Sequence, residues 1–105
     1  MSKYKDTIYA LSTPSGKSAL AVIRISGDQS LKVLKKISSI KKISPNKINL
    51  TFLKFEKQII DQTLVVYFKK PHSFTGEEMV EINCHGSIAI ITKISKILEI
   101  LGIRL

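Results

Sequence analysis

Apolar and polar positions alternate along this chain in two rhythms. Period-two alternation and short β-branched runs mark strands over residues 7–11, 20–26, 48–55, 63–69 and 79–84. Arg24 interrupts the otherwise apolar second run. In the last run Val80, Ile82 and Cys84 face one way, and Met79, Glu81 and Asn83 the other. A helical rhythm appears twice. Leu31, Leu34, Ile37 and Ile40 recur every three residues, with Lys32, Lys35 and Lys36 outside the stripe. The pattern Ser26-x-x-Gln29 reads as a capping box opening that helix, and Ser44-Pro45-Asn46 breaks it. The second helix starts at Gly86-Ser87, carries a stripe of Ile90, Ile91, Ile94, Ile97, Leu98 and Leu101, and ends where Gly102 supplies a C′ glycine. The order β-β-α-β-β-β-α predicts an α+β domain, a mostly antiparallel sheet of about five strands carrying two amphipathic helices. Ile103-Arg104-Leu105 has strand character with no partner after it, so the chain reads as a piece of a longer one.

Composition narrows this picture mainly by exclusion. The 105 residues fit one domain, and 44% hydrophobic with 24% charged residues is a globular balance. No apolar run approaches the roughly 20 residues of a membrane helix. Residues 1–6 lead into a mixed strand rather than an apolar leader segment. A lone Cys84 excludes an internal disulfide framework and a Cys-rich zinc site. The expected location is cytoplasmic.

The net charge of +9 is distributed unevenly. Residues 1–31 contribute +2, residues 32–70 contribute +8 and residues 71–105 contribute −1. Fifteen of the 17 basic residues are Lys, and Trp is absent, which disfavours base-specific recognition. The lysines form either a solvated face or a patch that steers phosphates.

Candidate chemistry is sparse. Gly16-Lys17-Ser18 has the tail of a phosphate-binding loop, but Leu11 occupies the position of the required first glycine and a strand follows instead of a helix. A Gly/Pro turn is expected there. Cys84-His85, with His72 nearby in sequence, offers neither a full zinc ligand set nor an oriented nucleophile, and reads as a core cysteine beside a turn histidine. No catalytic and no metal-binding residue is assigned. Arg24 and Glu81 weigh more, because both place charge on strands. Either they form a structural ion pair, or they line a cleft where the carboxylate accepts a pair of parallel donors and the guanidinium faces an acceptor.

Two blocks then make the sequence recognisable. Asp6-Thr7-Ile8-Tyr9-Ala10-Leu11-Ser12-Thr13-Pro14-Ser15-Gly16-Lys17, followed by Ala21-Val22-Ile23-Arg24-Ile25-Ser26-Gly27, resembles the opening of the bacterial tRNA modification GTPase family MnmE (TrmE). Ser73-Phe74-Thr75-Gly76-Glu77-Glu78-Met79-Val80-Glu81-Ile82 with Cys84-His85-Gly86 resembles that family's second signature. Ser15, Ser18 and Ser87 depart from the family's usual residues.

The resemblance implies a truncated N-terminal domain over residues 1–105, related in fold to the tetrahydrofolate-binding part of the glycine-cleavage T-protein. It implies binding of 5-formyltetrahydrofolate with Arg24 and Glu81 as folate-contacting positions, and formation of a homodimer. The full-length protein would act with the flavoprotein MnmG on C5 of the tRNA wobble uridine, away from membranes. GTP, K+ and Mg2+ would belong to a GTPase domain beyond residue 105, so this chain alone is expected not to hydrolyse GTP. Two rival readings are a Lys-rich tRNA-contacting module using residues 32–57, and a purely oligomerising unit that binds no folate.

Overall fold

The computed structural model describes residues 7–12, 20–73 and 75–105. The turn expected at Gly16-Lys17-Ser18 and the start of the chain at residues 1–6 lie outside the described residues. The elements run β1 (Ile8–Ser12), β2 (Leu20–Ser26), α1 (Ser30–Ile37), β3 (Asn49–Phe55), β4 (Gln58–Phe68), β5 (Met79–His85) and α2 (Ile88–Ile100). The strands form one five-stranded sheet in the order β1-β2-β5-β4-β3, with every neighbouring pair antiparallel. The expected α+β domain is what the chain forms.

Strand alternation sorts the side chains onto two unlike faces. One face carries Ala21, Ile23 and Ile25 of β2, Val80, Ile82 and Cys84 of β5, and Val65 and Tyr67 of β4, all buried. Helix α1 packs there against β5 and β3, and α2 against β5 and β4. Val33, Leu34 and Ile37 of α1 and Ile94, Ile97 and Leu98 of α2 close this core. Among the described residues, no helix lies on the other face.

Helix α1 differs from the sequence expectation at both ends. Ser26 does not cap it but is the last residue of β2, and Gln29 holds the N-cap position with no side-chain hydrogen bond. Gly27, at φ 136°, separates strand from helix in a conformation that side chains rarely adopt. The hydroxyl that fixes the helix start belongs to Ser30, which donates to the Gly27 carbonyl at 2.5 Å and the Glu78 carbonyl at 3.0 Å. At the far end the helix stops at Ile37, well before Pro45, because Ser38 turns extended and bridges to Leu53 of β3. Ser39 N then donates to the Phe52 carbonyl. The buried stripe is thus Ser30, Val33, Leu34 and Ile37, with Leu31 and Ile40 only partly covered.

Strand β4 begins five residues earlier than its apolar run implies, because Glu56-Lys57 forms a two-residue hairpin between Phe55 and Gln58. Both turn residues have positive φ, 50° and 68°, the shape of a type I′ turn. Asn-Gly is the usual signal for that turn, so Glu-Lys conceals it. Glu56→Asn with Lys57→Gly is therefore expected to raise the unfolding free energy by about 1 kcal/mol in a urea titration.

Helix α2 follows its expectation. Ser87 Oγ accepts from Ile90 N, and Gly102, at φ 85°, closes a Schellman motif with Gly102 N to the Glu99 carbonyl and Ile103 N to the Leu98 carbonyl, each 2.9 Å. The strand-like C-terminal residues pair backwards, with the first strand. Arg104 forms a parallel bridge with Ile8, and Tyr9 N donates to the Arg104 carbonyl at 2.9 Å.

Candidate functional site

The antiparallel register sets Arg24 of β2 directly opposite Glu81 of β5. The same row continues to Ala10 on β1 and Val66 on β4, which places the pair near the middle of the helix-free face. Arg24 Nε donates to Glu81 Oε2 at 3.1 Å, with the side chains 39% and 22% exposed. Residues 57 apart in sequence thus meet because two strands pair. Both ionic partners stay accessible from the open side. A carboxylate has about four acceptor directions, so one hydrogen bond from Arg24 leaves Glu81 able to accept two more donors in parallel.

A hollow of about 190 Å³ lies beside Arg24, bounded by Ile8, Tyr9, Ala10, Arg24, Ser26, Thr75 and Met79. Its lining is mostly apolar, and Met79 closes it, fully buried although it lies on the helix-free face. Glu81 stands outside this lining, across the ion pair. Next along the face, Val22, Asn83, Leu64 and Leu50 form a second cross-strand row. Leu64 is 41% and Leu50 64% exposed on this helix-free face.

The segment before β5 anchors the hollow. Ser26 Oγ is 2.8 Å from Thr75 Oγ1 and donates to Glu77 Oε2 at 3.1 Å. Ser73 Oγ donates to the Glu77 carbonyl. Glu78 reaches the opposite side, accepting from Tyr67 Oη at 2.5 Å, while its carbonyl accepts from Gly27 N at 2.8 Å. Consecutive carboxylates therefore clasp the end of β2 and the buried face of β4. The sequence reading passed over Ser26 and Thr75 as site residues. The signal available was the concentration of Ser73, Thr75, Glu77 and Glu78 just before a strand.

Burial pushes the Tyr67 phenol up to about 12, reinforced by its hydrogen bond to Glu78 and that carboxylate's charge. The native state thus disfavours ionised Tyr67 more than the unfolded chain does. This contribution to stability is whole below pH 10 and is lost as pH rises from 10 towards 12. Denaturant titrations between pH 9 and 12 are expected to show that loss, about 2–3 kcal/mol from Tyr67. Tyr67→Phe should remove this part and leave the part that the buried Cys84 thiol, also pushed up, contributes in the same window.

Cys84 and His85 point to opposite faces of β5. Cys84 is wholly buried, and burial, followed by the charge of Asp61, pushes its thiol up to about 11. His85 Nδ1 lies 2.7 Å from Asp61 Oδ1, and its backbone N donates to Asp61 Oδ2 at 2.9 Å, so Asp61 fastens the end of β5 to β4. Among the described residues no cluster of His, Cys, Asp and Glu is arranged to hold a metal ion. Cys84 is accordingly expected to resist a thiol reagent at pH 7.5 in the native protein and react fully in denaturant. No helix among the described residues is long and apolar enough to cross a membrane.

Comparison with known proteins places this chain in a family. The family described as "GTP-binding protein TrmE N-terminus" matches residues 7–105. The chain is 49% identical over 107 residues to the tRNA modification GTPase MnmE of Fervidobacterium nodosum, covering 96% of this chain and 23% of that protein. It is 41% identical over 104 residues to the MnmE of Sulfurovum sp., covering 98% and 23%. For the Helicobacter pylori MnmE the figures are 41% over 100 residues, 95% and 22%. The chain spans about a quarter of the length of these curated relatives. With the match running through both β2 and β5, the chain belongs to the TrmE N-terminal family of tRNA modification GTPases.

Proposed function

We propose that this chain is the folate-binding and dimerising domain of a cytoplasmic tRNA modification GTPase. The observation that carries the reading is the Arg24–Glu81 pair, set side by side and partly accessible on the helix-free sheet face next to a hollow. A pterin edge presents an amino group beside a ring N–H, and Glu81 accepts both in parallel. Arg24 holds the carboxylate in place and offers positive charge to the pterin or to the acidic tail of the folate. Bound 5-formyltetrahydrofolate supplies a one-carbon unit. The residues here bind and orient it and perform no chemistry themselves.

The hollow of about 190 Å³ falls below the roughly 300–1,000 Å³ of ordinary small-molecule pockets. One copy of the chain thus covers only part of a folate. The exposed apolar side chains of the same face, Leu20, Leu50, Phe52 and Leu64, are the kind of surface a second copy covers, which supports the homodimer. The full-length protein would work with the flavoprotein MnmG on C5 of the wobble uridine, with GTP, K+ and Mg2+ confined to its GTPase domain and no GTP hydrolysis by this chain. The fold kinship with the glycine-cleavage T-protein belongs to the same proposal.

Calorimetry with 5-formyltetrahydrofolate tests the reading. Saturable heat with the wild-type chain is expected. Its absence, or undiminished affinity in Glu81→Ala, overturns the assignment. The direct 3.1 Å contact favours one second reading, a purely structural pair. In that case Arg24→Ala lowers stability equally with and without folate.

A further inference from the structure

On the opposite edge of the sheet from β1, the structure gathers lysines around a groove of about 460 Å³. Lys35 comes from the last turn of α1, Lys42 and Ser44 from the connection to β3, and Lys47 and Asn49 from the entry into β3. The stretch between Asp28 and Glu56 holds seven lysines and no acidic residue. All seven are exposed, and none forms an ion pair among the described residues. Such a patch sustains a positive potential, which a concave surface concentrates.

The groove is also held in shape. Ile40 and Ile43 pack on the core, Ser39 N donates to the Phe52 carbonyl, Asn46 N donates to the Tyr67 carbonyl at 2.9 Å, and Asn49 Nδ2 donates to the Lys47 carbonyl at 3.0 Å. The connection that carries Lys42 and Lys47 is therefore tied to β3 and β4. Cations fixed around a concavity, with the hydroxyl and amide of Ser44 and Asn49 between them, match successive phosphodiesters of a nucleic-acid strand. The groove offers neither Arg for bidentate base contacts nor an aromatic ring for stacking, so it grips a backbone without reading sequence.

We infer that the groove lined by Lys35, Lys42 and Lys47 is a contact site for the phosphate backbone of RNA. The choice of RNA rests on the tRNA-modifying role proposed above. The groove lies off the helix-free face, so its occupation leaves Arg24 and Glu81 accessible.

Fluorescence anisotropy of the chain with a labelled tRNA between 50 and 200 mM KCl reads this directly. A linear fall of log affinity with log salt is expected. Lys35→Gln/Lys42→Gln/Lys47→Gln should make that slope shallower by about 2–3, at roughly 0.7–0.9 per phosphate contact. Lys42→Gln alone should change it by about one such increment, and Lys93→Gln/Lys96→Gln on α2 should leave it in place. An unchanged slope in the triple variant, no tRNA binding at 50 mM, or preference for phosphatidylglycerol vesicles over tRNA each overturns the inference. Circular dichroism verifies that the variants are folded, and calorimetry with the folate, run on the same variants, separates this failure from failure of the folate reading.

Discussion

Ile82→Ala is expected to lower the unfolding free energy by about 3–4 kcal/mol, the largest effect of any single truncation on the sheet. Ile82 is fully buried in the central strand β5. It stands opposite Ile23 of β2 and Val65 of β4 in one row, with both helices packing on that face. Its neighbours belong to a continuous sheet, whose backbone hydrogen bonds prevent them from collapsing into the space. The truncation therefore loses both the transfer free energy and the contacts around the cavity. For a domain of this size, with total stability of about 5–15 kcal/mol, that is a large share. Val66→Ala, on the helix-free side of β4, should cost less than about 1 kcal/mol. Urea titrations of the two variants check the one-sided core: equal losses contradict it.

The second large effect concerns binding. Glu81→Ala is expected to weaken 5-formyltetrahydrofolate at least about a hundredfold, since it removes two charge-assisted hydrogen bonds worth roughly 1.5–3 kcal/mol each. Its effect on stability should stay within about 1 kcal/mol, because the ion pair it breaks is partly open to solvent. Arg24→Ala should weaken the ligand less, about tenfold, since Glu81 keeps its two acceptor oxygens and loses only their anchor. A structural pair would give the reverse pattern, a stability loss with no change in ligand affinity. Measuring stability and binding on the same variants separates these outcomes.

The strands and α2 were legible in sequence for a simple reason. Where one face is buried, period-two or helical patterning leaves its mark on hydrophobicity, as in Val80, Ile82 and Cys84 or Ile94, Ile97 and Leu98. What escaped was decided by backbone and hydroxyl interactions that leave no such mark. Helix α1 stops at Ile37 because Ser38 and Ser39 pair with β3, a partner far along the chain. Strand β4 gains its first residues through a turn whose left-handed conformations are carried by Glu56 and Lys57 rather than glycine.

The site divides along the same line. Arg24 and Glu81 were visible as charges on strands, because charge on a strand has a desolvation cost that needs explaining. Their direct apposition follows from the β2–β5 register, which no local pattern contains. The roles of Ser26 and Thr75 depend on how the segment before β5 folds back over the end of β2. Asp61 was hidden similarly, within residues whose strand character only the hairpin reveals.

A crystal of the chain soaked with 5-formyltetrahydrofolate puts the whole account at risk in one experiment. Density for a flat bicyclic ring is expected with its amino edge against the Glu81 carboxylate and Arg24 alongside. Full occupancy somewhere else on the molecule, or an Arg24–Glu81 contact left unvisited at saturating ligand, contradicts it.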